Sequence, residues 1–180
     1  MTAGASRRAF LALGPGAALT ACGFQPVYMP TASGQAGPAR RELAAIYVNI
    51  IGERPGMLLR QALQDRFEGA GASVAKRYDL TVTYWMSGDL VGVQSDTTVT
   101  RVRFVGYANW ILAAQDPAHT HLTDGATRAA DALNLIDSQY FTSELEVTTI
   151  QERMAQTLAD QIALQLAAYF RRRASAPVSG

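Results

Sequence analysis

Few side chains in this 180-residue sequence can do chemistry, and their spacing narrows what that chemistry is. The single thiol, Cys22, cannot form an internal disulfide, and it cannot hold zinc without other ligands. The two imidazoles, His119 and His121, lie at alternate positions after Pro117. On an extended segment that spacing puts both rings on one side, where a carboxylate such as Asp124 could complete a metal site; a polar turn explains them equally well. No Gly-x-Ser-x-Gly elbow, phosphate-cradling glycine loop or His-Glu-x-x-His occurs. No isolated pair of acids suggests glycoside hydrolysis. Neither catalysis nor a bound metal or soluble cofactor is expected.

Arginine carries the stronger signal. Of the 16 basic residues, 15 are arginine, whose planar fork suits phosphates and carboxylates better than a point-charge lysine does. Arg101 and Arg103 alternate on one strand, opposite its apolar stripe, and Lys76 and Arg77 open the neighbouring strand. If helices cover one face of the sheet, the other presents these cations to an anionic partner. A solvated face that resists aggregation is the alternative. The 16 basic groups nearly balance the 15 acidic ones, so no positive field exists to hold nucleic acid.

The elements that position these groups fall into four stretches. Residues 1–21 have the layout of an export signal: Arg7 and Arg8 without nearby acids, an apolar run from Ala9 to Leu19, then small residues. That run is shorter than the ~20 residues a bilayer-spanning helix needs. Ser6-Arg7-Arg8-Ala9-Phe10-Leu11 also resembles a twin-arginine export motif, which leaves the route open. Cleavage before Cys22 would leave 14 basic and 15 acidic groups, so membrane attachment could not rest on net positive charge. Residues 22–42, rich in Gly, Pro, Ala, Ser and Thr, read as a flexible tether. Residues 43–173 form a single domain, and 174–180 a disordered tail.

Within the domain, Ala44–Ile51 alternates Ile46, Val48 and Ile50 on one face, as a strand does. Pro55 suits a first helical turn, Leu59, Ala62, Leu63 and Phe67 recur at helical spacing, and Gly69 and Gly71 can stop the helix. Tyr78–Met86 alternates again. Thr97–Ala113 is a third strand, with Val102, Phe104, Ala108, Trp110 and Leu112 facing one way and Arg101, Arg103, Val105 and Tyr107 the other. Leu122–Leu135 is a weaker fourth. Ser143-Glu144-Leu145-Glu146 reads as a capping box opening a long helix to about Arg172. Arg171, Arg172 and Arg173 at its end complement the helix dipole. Its stripe of Ile150, Met154, Leu158, Ile162, Leu166 and Phe170 steps by four, drifting about 40° per step, so it wraps halfway round the helix. Either the sheet curls beneath it or its far end meets another element. The order strand, helix, three strands, helix predicts an α/β (α+β) sandwich, two helices on one face of a mixed four-stranded sheet.

Two resemblances add to this reading. Leu19-Thr20-Ala21-Cys22 resembles the lipobox of bacterial lipoproteins, which implies S-diacylglycerol and N-palmitoyl lipid on Cys22. Acyl chains add about 0.8 kcal/mol per buried methylene, so several make desorption negligible. Gly23 in place of an aspartate implies the periplasmic face of the outer membrane. The mature chain resembles the LptE lipopolysaccharide-assembly family in its α-proteobacterial form. Cys22-Gly23-Phe24-Gln25-Pro26-Val27-Tyr28, Arg54-Pro55-Gly56-Met57-Leu58-Leu59-Arg60, Tyr78-Asp79-Leu80, Asp96–Arg101 and Ser138-Gln139-Tyr140-Phe141 carry the likeness. The resemblance implies a noncatalytic translocon subunit that plugs the LptD β-barrel, assists its assembly and binds lipopolysaccharide. Arg101, Arg103, Arg77 and Lys76 are nominated for the glycolipid on geometry alone. An auxiliary lipoprotein of another outer-membrane lipid transport system, and a lipid-anchored periplasmic hydrolase, are the rival readings.

Overall fold

The computed structural model describes residues 37–68, 74–93, 99–134 and 140–175. The leader, Cys22, the tether up to residue 36, Gly69 and Gly71, the Ser138-Gln139 motif and residues 176–180 lie outside the described residues. Three helices and four strands follow in order: α1 Pro38–Ala44, β1 Ile46–Val48, α2 Glu53–Glu68, β2 Tyr78–Val93, β3 Val99–Ala114, β4 His121–Asn134 and α3 Tyr140–Ser175. The sheet runs β1-β2-β3-β4, with β1 parallel to β2 and the remaining pairs antiparallel. The parallel pair needs a crossover, which α2 supplies; the other three strands form a meander. This is the mixed four-stranded α+β architecture expected, with one short helix more.

That extra helix, α1, begins five residues before the expected domain boundary and takes up the end of the stretch read as tether. Pro38 suits its first turn, where a missing N–H costs nothing. Ala39, Leu43 and Ala44 are buried, which is why so short a helix persists: packing, not propensity, holds it. Glu42 extends from it to the start of β2, accepting from Arg77 Nη2 at 2.8 Å and from the Tyr78 hydroxyl at 2.7 Å.

Strand lengths depart from the alternation pattern in both directions. β1 pairs for only three residues, ending at Val48 opposite Leu80. The Asn49 N–H still donates to the Leu80 carbonyl, after which the chain turns away; Ile50, expected inside with Ile46 and Val48, is 84% exposed. β2 runs seven residues past Met86. Ser87, Gly88 and Asp89 look like a turn in isolation, but they pair with Val105, Phe104 and Arg103. A Cβ on Gly88 would lie 3.3 Å from the Phe104 ring, so the small residue also makes room for its cross-strand neighbour.

Even-numbered residues of β2 and β3 face the helices. Leu80, Val82, Ala108, Trp110 and Leu112 are buried there with Leu59, Leu63 and Phe67 of α2 and the whole α3 stripe from Ile150 to Phe170. The halfway wrap of that stripe has a direct cause: α3 packs on β4, on α2 and on α1, so its apolar residues need more than one face. Alanines 155, 159, 163 and 167, all buried, let the helix approach closely. Gly125 does the same on β4, since a Cβ there would fall 2.5 Å from the Trp110 ring. Trp110 Nε1–H donates to Gln165 Oε1 at 3.1 Å, which satisfies the indole under the helix. α3 starts at Tyr140, so Ser143, expected as its cap, falls inside the first turn. No helix among the described residues is long and apolar enough to cross a membrane.

Candidate functional site on the open sheet face

Among the described residues no helix packs on the second face of the sheet, which carries the odd-numbered side chains of β2 and β3. Antiparallel register arranges them in rows. Trp85, Tyr107 and Arg128 form one row; Ser87, Val105 and Ala130 the next; Asp89, Arg103 and Ala132 the one after. The Trp85 and Tyr107 rings stack at 5.3 Å with 14° between their planes, and Trp85 is 46% exposed. Between this aromatic wall and the Arg103 row, Val105 is buried beneath its taller neighbours. Alternation in Tyr78–Met86 already placed Trp85 on this face; the pair went unread because its partner depends on register.

The nominated cations divide into two groups. Arg101 and Arg103 are exposed at the far end, where β3 begins, and Arg103 Nη2 stands 3.4 Å from Asp89 Oδ2. Lys76 and Arg77 sit at the near end, where β2 begins opposite the end of β3. Eleven strand residues, roughly 35 Å, separate the two groups. Adjacent strands therefore do not bring all four together: in a hairpin the start of one strand meets the end of the next.

The near-end pair has structural work. Arg77 donates to Glu42, and that hydrogen bond raises its already high pKa. Its guanidinium carbon lies 5.4 Å from the centre of the Tyr78 ring. Burial, then the bond to Glu42, pushes the Tyr78 phenol up. Lys76 Nζ donates to the Ala44 carbonyl at 3.1 Å, capping the end of α1, and lies 3.5 Å from Glu68. Together these contacts fasten α1 to the sheet.

The imidazoles do not converge. His121 Nε2 lies 3.1 Å from Asp124 Oδ1, while His119 reaches toward Asp79 at 3.9 Å. Among the described residues no group of three or more histidine, cysteine or acidic side chains could hold a metal ion. The turn between β3 and β4 is fixed instead by Asp116, whose carboxylate accepts from the Thr120 hydroxyl at 2.6 Å and its N–H at 2.8 Å. Those bonds hold Asp116 below the usual carboxylate range.

The described residues thus form a helix-backed mixed sheet with one face open and the nominated cations divided between its two ends. The lineage is specific: residues 43–166 match the LptE, lipopolysaccharide-assembly, family model, and the chain belongs to that family. No curated protein matches it in sequence. Its fold is similar to a Caulobacter crescentus protein assigned as a lipoprotein, with 21% identity, a TM-score of 0.58, and 74% of this chain covering 96% of that one. Rare lipoprotein B of Shewanella oneidensis shares it at 11% identity and a TM-score of 0.54, over 73% and 98% of the two chains. Lipoprotein B of Nitrosomonas europaea does so at 14% identity and a TM-score of 0.51, over 70% and 82%.

Proposed function

We propose that this protein is a noncatalytic lipoprotein subunit of the outer-membrane lipopolysaccharide translocon. It is anchored through acylated Cys22 on the periplasmic face, seats in the LptD β-barrel and binds lipopolysaccharide during insertion. The observation that carries the reading is the polarity of the open sheet face. α1 is fastened at the near end, on the side of the chain that leads to Cys22, and Arg101 and Arg103 stand exposed roughly 35 Å away along the strands. With α1 starting at Pro38, about fifteen residues separate the domain from Cys22, a reach of at most roughly 50 Å. Such a tether would keep the domain within that reach of the membrane. Guanidinium forks at the far end suit the phosphates and carboxylates of an acidic glycolipid.

Affinity recovery from detergent-solubilised outer membranes tests the partner: the reading expects a β-barrel, whereas an inner-membrane transporter complex supports an auxiliary role in another lipid pathway. Arg101→Glu with Arg103→Glu should weaken lipopolysaccharide binding at least tenfold and leave the domain folded. Equal affinity of the folded double variant removes the arginines from the site. Cys22→Ala should release the protein from membranes, and labelled palmitate still incorporated by that variant contradicts the anchor.

A further inference from the structure

The sheet has two long margins, and they are finished differently. On β4 two of the outward main-chain groups have side-chain partners. The Ala126 carbonyl accepts from Gln165 Nε2 at 3.4 Å, and the Ala132 N–H donates to Asp131 Oδ1 at 2.8 Å. Asp124, Arg128 and Asp131 add charge along the strand, Arg153 of α3 clamps Asp131 at 2.8 Å, and a register irregularity interrupts pairing near Leu122. Charges, bulges and covering helices are the devices that keep an edge strand from accepting another strand.

The margin of β2 from Val82 to Leu90 is guarded less: its register is unbroken as far as Leu90, with irregularities only beyond it, at Gly92 and Val93. β1 covers β2 only from Tyr78 to Leu80, and Asn49 closes that pairing with its N–H on the Leu80 carbonyl and its side-chain amide on Thr81 Oγ1. Since Leu80 presents its carbonyl to β1, the period of two turns the N–H and C=O groups of Val82, Tyr84, Met86, Gly88 and Leu90 to the same outer side. Among the described residues no strand pairs with this row. The stretch has no lysine and no proline, and its one charge, Asp89, is already beside Arg103. Trp85, Leu90 and Val91 are exposed along it.

We propose that this margin, Val82–Leu90, receives an extended segment of the barrel partner as a further strand of the sheet; the inference rests on the functional reading above. Donors and acceptors at strand spacing are satisfied by another peptide backbone, not by acyl chains or phosphates. Strands in a closed barrel wall are paired on both sides, so the segment comes from a loop or terminus of the barrel. A margin with no free charge selects an uncharged, alternating segment whose apolar side chains reach the Trp85–Tyr107 stack.

Residue-resolved amide exchange on the free protein and on the complex purified intact from detergent tests this. Amides of Val82, Tyr84, Met86 and Gly88 should slow at least tenfold in the complex, while Thr83, Trp85 and Ser87, already bonded to β3, should not change. Met86→Pro removes one outward donor without touching the β3 ladder and should reduce barrel recovery at least tenfold, with Met86→Ala as the control for the side chain. If the proline variant fails to fold, Thr83→Lys with Ser87→Lys places guarding charges at exposed positions and should have the same effect. A barrel that co-purifies while the even-numbered amides exchange as in the free protein overturns the inference and leaves the functional reading standing. Concentration-dependent protection in the free protein overturns it in favour of a second copy. If no barrel is recovered, the functional reading fails first and the inference falls with it.

Discussion

The two ends of the open sheet face use the same residue type for different purposes. At the near end Arg77 and Lys76 are tied to Glu42, Glu68 and the Ala44 carbonyl, and with Tyr78 they bind α1 to β2. At the far end Arg101 and Arg103 are exposed, with Asp89 standing 3.4 Å from Arg103. A cation already satisfied by a fixed acceptor contributes to stability but has little left for a ligand. One held loosely against solvent contributes little to stability and stays available. Sign of charge alone does not separate the two; position relative to α1 does.

Substitutions at the two ends should therefore diverge. The largest effect is expected at Leu43, whose side chain is 1% exposed beneath α1: Leu43→Ala should cost about 2–5 kcal/mol in denaturant unfolding. Unfolding within about 0.5 kcal/mol of wild type would mean that α1 does not seat the near end. Glu42→Ala comes next, at about 1–2 kcal/mol, because it leaves the half-buried Tyr78 hydroxyl without its acceptor as well as Arg77 without its partner. In a double-mutant cycle Glu42→Ala should couple to Tyr78→Phe; additive effects would assign the loss to α1 packing alone. Arg101→Glu with Arg103→Glu should stay within about 0.5 kcal/mol of wild type, the ordinary range for exposed positions. A larger loss would make the far end structural too, and the contrast would collapse.

Much of this arrangement was legible in the sequence, and the parts that were not share a cause. The α3 stripe and the two faces of β3 follow from periodicity, a property of one segment. Strand ends depend on partners. Ile46, Val48 and Ile50 alternate regardless of whether β2 lies alongside, and β2 lies alongside only as far as Val48. Ser87-Gly88-Asp89 has turn composition, but Val105, Phe104 and Arg103 across the ladder keep it extended. α1 was hidden because Gly37, Pro38 and three charged residues mask the three apolar side chains that pack. The candidate site repeats the lesson. Arg101 and Arg103 were placed correctly on the open face, whereas grouping them with Lys76 and Arg77 required ignoring that antiparallel neighbours run in opposite directions. The Trp85–Tyr107 stack needed the register that only the folded sheet supplies.

The near end also contains the smallest effect, at the β3–β4 turn. Asp116 accepts two bonds from Thr120, the hydroxyl bond being the larger influence and the main-chain N–H the next, and both favour the ionised carboxylate. Its folded pKa is therefore lower than the ordinary 3.8 it regains on unfolding. A carboxylate lowered in this way stabilises the fold at pH values above its unfolded pKa, and the contribution disappears as pH falls through the folded one. Asp116→Ala should lower Tm slightly at pH 7, and the gap to wild type should narrow progressively below pH 3.8. Paired thermal scans across that range measure it. A gap that stays constant down to pH 2 would show that the turn is held by its backbone geometry, including His119 at a positive φ of 46°, and not by the carboxylate.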